Sequence, residues 1–178
     1  METAKQSRLA LVTTLLKLAV FTVLVPGTVT LWVPLFLLLP RVHHHSFSVN
    51  LGGISALLII ALGTSGYFWC ALDFARKGQG TPAPVDPPKV LVVQGLYKCT
   101  RNPMYVSVLS ILLGESLLFE SAWLLGYAAA VTVAFHSFVV FYEEPILRRK
   151  MGAAYVQYCR EVPRWILGVR RARGRDAI

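Results

Sequence analysis

Hydrophobic positions run along this chain in four long blocks: Leu9–Leu39, Leu51–Leu72, Met104–Phe119 and Ala122–Tyr142. A helix needs about 20 apolar residues to cross a bilayer, so blocks of this length predict membrane helices. The first is longer than one span requires and is broken by Pro26-Gly27 and Pro34. That pattern predicts either a kinked helix or a span followed by a re-entrant piece. The second, "LGGISALLIIALGTSGYFWCAL", carries no charge, and its small residues permit close helix contact. The third is short and requires tilt or local thinning of the bilayer. Only Glu120 and Ser121 separate it from the fourth, so those two helices must form a tight hairpin.

The pattern changes after Pro145. Leu147, Met151, Tyr155, Tyr158 and Val162 recur at helical spacing, with Arg149, Lys150, Gln157 and Arg160 mostly on other faces. This is the signature of an amphipathic interfacial helix. It ends at "VPRW", where Pro163 stops it and leaves Arg164 and Trp165 at headgroup level. Between the second and third blocks, Pro82, Pro84, Pro87 and Pro88 predict a stiff extended connector, followed by the short apolar run Val90–Val93. Such a segment suits a lid or pocket wall over the helix ends.

Composition agrees with a lipid environment. The 178 residues are 55% hydrophobic and 15% charged, with a mean hydropathy of +0.56. That is more apolar side chain than a soluble domain of this size can bury. The net charge is +9, and nine of the 18 Lys and Arg residues follow Pro145. Arg76, Lys77, Lys89, Lys98 and Arg101 lie between the second and third blocks, whereas the hairpin tip has no basic residue. The positive-inside rule then places both termini and the 73–103 segment in the cytoplasm.

The same charge is an orientation and lipid-headgroup signal rather than a nucleic-acid one, since no recognition motif accompanies it. No small-residue cleavage site follows the first block, which argues against a secretory signal peptide. Cys70, Cys99 and Cys159 lack metal or redox spacing, and His43-His44-His45 has no nearby carboxylate or cysteine to complete a metal site. No metal is expected.

Candidate chemistry gathers at the cytoplasmic helix ends. Asn102 stands at an N-cap position and Pro103 at the first helical position, so unpaired N–H groups at the start of the third helix face the loop. Arg101 beside them either cradles a carboxylate or extends to headgroups. Glu143 and Glu144 precede Pro145, at what reads as a helix C-terminus, where the macrodipole disfavours negative charge. They therefore call for salt bridges to Arg101, Arg148 and Arg149, with Arg164 also able to return to them, or for a cationic ligand. His136, two turns before Glu143, either contacts a ligand or is a neutral imidazole bonded to a backbone carbonyl. Glu115 reads as an interfacial or helix-packing contact.

The motif "GLYKCTRNPMYVS", followed by "EEPILRRKMGAAYVQYCREVPRW", resembles the membrane-embedded methyltransferase superfamily that includes isoprenylcysteine carboxyl methyltransferases and phospholipid N-methyltransferases. The resemblance covers about Gln79 to Trp165 and rests on both motifs occurring in order. It implies S-adenosylmethionine as cofactor in a cytoplasm-facing pocket, with a lipophilic acceptor entering laterally. Carried over by position, Tyr97, Arg101, Asn102, Pro103 and Tyr105 would form the cofactor pocket, to which we add His136. Glu143 and Glu144 would lie near the reacting centre, and Arg164 matches the family's terminal basic residue. Asn102 replaces a common His, and Ser107 stands where Gly is frequent.

The expected molecule is an all-α integral membrane protein with about four transmembrane helices and a cytoplasmic interfacial C-terminal helix. It forms one domain over 1–178: an N-terminal transmembrane region 9–72, a catalytic core 73–165 and a basic tail 166–178. The expected partners are membrane lipids and a lipophilic or lipid substrate, without nucleic acid; oligomeric state is left open. A carboxylate acceptor would be oriented by Arg164 or Arg149, and an amine acceptor would lose its proton to Glu143 or Glu144. The alternative is a noncatalytic small membrane transporter or assembly subunit in which His136 and the acids line a polar path.

Overall fold

The computed structural model describes residues 13–14, 16–40, 51–74 and 91–165. The His43–His45 triplet, the proline-rich connector up to residue 90 and the basic tail from residue 166 lie outside the described residues. The described residues form five helices: α1 (Leu16–Leu38), α2 (Leu51–Asp73), α3 (Pro103–Leu118), α4 (Ala122–Phe138) and α5 (Glu144–Glu161). A 3-10 turn, Gly95–Lys98, precedes α3, and there is no strand among the described residues. Leu16–Leu38, Leu51–Asp73 and the continuous run Ala122–Glu161 are each long and apolar enough to cross a membrane, while α3 is a shorter apolar helix. The protein is an all-α membrane protein, as expected.

The first block follows the kinked alternative, with α1 helical through both prolines. Thr28–Trp32 is a π turn in which the Val33 N–H donates to the Thr28 carbonyl. The ring of Pro34 would strike the carbonyl of Thr30, four residues back, and the wider π turn moves that carbonyl aside. The same device recurs at Val139–Glu143, where the Glu144 N–H donates to Val139 and Pro145 follows. Pro145 therefore does not end the helix, which corrects the sequence expectation of a C-terminus at Glu143-Glu144. Glu144 instead lies within one continuous helical run, with its own N–H bonded, so no helix end acts on its charge. At 1.5 Å per residue the 40 residues of Ala122–Glu161 would measure about 60 Å if straight, twice the hydrocarbon thickness. Only about the first half can lie within lipid, so Glu143 and Glu144 fall at the membrane boundary.

The central contact is between α2 and α3. Ala56, Gly63 and Cys70 recur every seven residues on α2; Gly63 meets Ser107 and Ala56 meets Gly114 on α3, while Cys70 is buried in a cluster with Val92 and Tyr97. A Cβ placed on Gly63 would lie 2.7 Å from the Ser107 carbonyl oxygen and 2.9 Å from Ile111 Cγ1. The two backbones thus approach more closely than any side chain on Gly63 would allow, and dispersion replaces the hydrophobic effect as the attraction within lipid. Ser107, where the resembled family often has Gly, is part of this seam. α1 adds Leu18 to a buried cluster with Tyr67, Ala71 and Val108, and Thr22 Oγ1 lies 2.9 Å from the Tyr67 hydroxyl. The α3–α4 hairpin closes as expected. Glu120 adopts φ 45°, and the Ser121 side chain accepts from the Leu124 N–H. Tyr127 then donates to the Val29 carbonyl at 3.1 Å, joining α4 to α1.

Replacing Gly63 by Ala is expected to lower stability by about 1–3 kcal/mol through overpacking of this seam. Gly126→Ala on α4, where an added Cβ meets nothing within 4 Å, should leave stability unchanged or slightly higher. Thermal unfolding of the two variants in the same detergent checks the contrast.

Candidate active site

The loop before α3 is built by short-range bonds. Cys99 and Thr100 both donate their N–H groups to the Leu96 carbonyl, which turns the chain toward Arg101. Asn102 stands at the N-cap position of α3 and Pro103 is its first residue; the Val106 N–H donates to the Asn102 carbonyl at 3.1 Å. The Asn102 side chain does not cap the helix as expected. Its Nδ2 donates instead to the Arg164 carbonyl at 3.1 Å.

The Arg164 carbonyl belongs to a strap, Val162–Trp165, that returns over the loop. Arg101 N–H donates to the Pro163 carbonyl at 2.9 Å, and the fully buried Thr100 donates its hydroxyl to the Arg164 carbonyl at 2.9 Å. The return is made possible by a break inside α5, where Gly152 has φ 55° and ψ −132°. Side chains larger than hydrogen are strained in that conformation. Beyond it, Tyr155, Tyr158 and Val162 pack with Leu91, Leu147 and Met151, the apolar stripe read from the sequence. Tyr158 donates its hydroxyl to the Tyr97 carbonyl at 2.7 Å.

This clasp brings three charged groups together, Arg101 and Glu144 largely buried and Arg164 about a third exposed. Arg164 forks onto Glu144, Nε to Oε1 at 2.6 Å and Nη2 to Oε2 at 3.1 Å. Arg101 Nη1 meets the same Oε1 at 3.0 Å. The side chains of Arg101 and Glu144 are only 10% and 7% exposed. Arg148 approaches Glu144 at 4.0 Å but is half exposed and contributes little. Arg101 Nη1 also lies 2.8 Å from Cys159 Sγ, while Arg101 Nε is buried with no acceptor among the described residues. Burial pushes the Glu144 carboxyl upward, but the Arg164 hydrogen bond and the charges of Arg101, Arg164 and Arg148 outweigh it and hold the group below its ordinary value.

Glu143 has the opposite environment. Burial raises its pKa, the hydrogen bond from Tyr105 partly offsets this, and the neighbouring Glu144 charge adds to the rise. Tyr105 donates to Oε2 at 2.9 Å. The Tyr105 ring packs against Phe135, with centroids 4.8 Å apart, and presents an edge to Trp165 at 6.4 Å. Trp165 in turn stacks on His136 and donates its indole N–H to His136 Nδ1 at 3.2 Å. His136 thus faces the strap rather than a backbone carbonyl.

The structure therefore gathers Tyr97, Arg101, Asn102, Pro103, Tyr105, His136, Glu143, Glu144 and Arg164 around the meeting point of loop, helix and strap. Arg149 is exposed and makes no ion pair among the described residues. Glu115 lies apart, toward the hairpin end of α3, with its Oε2 buried and unbonded. Sequence reasoning missed Thr100 and Cys159, for which no local signal exists. It assigned Tyr158 to packing alone, although the hydroxyl also holds the loop.

Comparison with known proteins adds one finding. The family model described as phospholipid methyltransferase matches residues 52–154, more than half of the chain. The matched span holds Arg101, Glu143 and Glu144 but ends before Arg164. No curated protein and no solved structure matches the chain.

Breaking the cluster should cost more than removing Glu143. Glu144→Gln is expected to destabilise the protein by about 3–5 kcal/mol, because two guanidinium groups lose their buried carboxylate. The folded-state pKa of Glu144 is depressed, so its contribution is present above the unfolded value and is lost as pH falls through the folded one. Thermal melts should show the Glu144→Gln penalty at neutral pH and its disappearance in strong acid.

Proposed function

We propose that this chain, which belongs to the phospholipid methyltransferase family, transfers a methyl group from S-adenosylmethionine to an amine on a lipophilic acceptor at the membrane boundary. The observation that carries the reading is the division between the two adjacent glutamates. Glu144 is held ionised by two arginines, whereas Glu143, whose bonded partner among the described residues is Tyr105, is raised above its ordinary value by burial.

The residues fit the cofactor. One carboxylate shared by Arg101 and Arg164 leaves the cluster with a surplus positive charge, and the buried Arg101 Nε lacks an acceptor. A ligand carboxylate answers both. In this reading Tyr97, Asn102 and Pro103 would shape that side of the cofactor site through the loop, and Tyr105 and His136 would border it toward α4. When bound, the cofactor supplies an electrophilic methyl group on a sulfonium and leaves as a neutral thioether.

The protein's part is alignment and proton removal. Glu143 takes one proton from the acceptor ammonium, freeing the nitrogen lone pair that forms the new N–C bond. Arg101, through its buried Nε, fixes the anionic end of the cofactor, while the strap and Tyr158 hold the loop against water. A carboxylate acceptor fits less well, because Arg164 is already forked onto Glu144 and Arg149 points to solvent. A noncatalytic transporter reading needs His136, Glu143 and Glu144 in file along one path. They instead bond to Trp165, Tyr105 and the arginines. The density of basic residues around it supports a cytoplasmic side for the site.

Calorimetry in mild detergent should show S-adenosylmethionine binding to the wild type. Arg101→Lys, which keeps a charge for Glu144 but lacks the Nε donor, should weaken it about tenfold or more. Glu143→Gln should bind the cofactor normally yet lose about 10²-fold or more in methylation of a lipid extract. Label transferred from the cofactor should resist base. Base-labile label would overturn the amine assignment, and absence of binding by folded wild type would favour the noncatalytic alternative.

A further inference from the structure

Tyr105 reaches the site from α3, across from the helix that carries both glutamates, and its phenol is bonded to Oε2 of Glu143 at 2.9 Å. Oε1 of that carboxyl carries no hydrogen bond among the described residues. An ionised carboxylate can only accept, so the phenol must donate. The bond therefore stabilises the charged form of Glu143 and fixes the plane of its carboxyl group. The ring is in turn confined by Phe135 on α4 and by Trp165 of the strap.

We infer that Tyr105 is a positioning residue for Glu143: its phenol holds Oε2, leaving Oε1 as the oxygen that takes the acceptor's proton. The inference rests on the amine-methylating reading above and assigns Tyr105 a role through Glu143 rather than through the cofactor. The groups that face Glu143 are Tyr105 from α3, Tyr97 from the loop and Glu144 on its own helix, while Arg101 and Arg164 are spent on Glu144. No guanidinium bonds directly to Glu143 among the described residues. Tyr105 is its hydrogen-bond donor, and removing that hydroxyl should make the carboxyl harder to ionise. A general base that is harder to ionise works only at higher pH.

Tyr105→Phe keeps the ring and removes only the hydroxyl. The acid limb of its kcat/KM profile is expected to move to higher pH by about one to two units, the size of a hydrogen bond to a charged group. Its affinity for S-adenosylmethionine should stay within about twofold of wild type. A wild-type pH profile would overturn the inference, as would a large loss of cofactor affinity, which would make Tyr105 a direct cofactor contact.

Glu143→Gln separates this from the parent reading. If that variant keeps full activity, the base assignment itself fails; if it is inactive while Tyr105→Phe matches wild type, only the positioning role fails. Should Tyr105→Phe not fold, infrared difference titration of the wild type provides the test without turnover. The carboxylate band that vanishes in Glu143→Gln should carry the frequency of a hydrogen-bonded group, and the frequency of a free carboxylate would overturn the proposal.

Discussion

A charge removed from water must be paired, and the carboxylate of Glu144 is where this constraint organises the molecule. Burying an unpaired carboxylate costs several kcal/mol even after relaxation. Arg101 comes from the loop before α3, Arg164 from the strap after α5 and Glu144 from the helix between them, so the ion cluster exists only when all three segments meet. The neutral hydrogen bonds from Thr100, Asn102 and Tyr158 fix the same meeting in geometry. A buried ion cluster is weak evidence of net stabilisation against an apolar core. Its consequence here is specificity of arrangement, because Glu144 meets both guanidinium groups only when loop and strap dock together.

The helix that carries the glutamates owes its course to one proline and one glycine. The π turn at Val139–Glu143 lets the chain pass Pro145 without ending, and Gly152 then supplies the backbone conformation that bends the remainder back over the loop. Neighbouring residues on a helix point about 100° apart. Glu143 therefore meets Tyr105 on α3 while Glu144 meets the arginines, and the two carboxyls diverge in acidity because their surroundings differ. That divergence distinguishes the site from a simple acidic patch, since one acid is held by two arginines and its neighbour is bonded to Tyr105.

Family membership and geometry bear on different parts of the same clasp. The matched span ends at residue 154, before Tyr158, Pro163 and Arg164. The strap nevertheless completes the charged cluster and closes the loop that begins within the matched region. Its participation follows from the hydrogen bonds alone.

The sequence by itself determined the membrane helices, the tight hairpin at Glu120-Ser121, the buried stripe of the last helix and the set of polar residues at one rim. These are local properties: run length, spacing and turn chemistry are properties of contiguous residues. The sequence also suggested that Arg164 returns to the acidic pair. Only the tertiary structure decided that the return is to Glu144 and that Glu143 belongs to Tyr105. It likewise decided that Asn102 holds the strap instead of capping α3, and that the helix continues past Pro145. Each of these depends on which groups distant in the chain become neighbours. A buried polar atom takes whatever partner packing brings within about 3 Å, and no pattern of spacing along the chain specifies that choice.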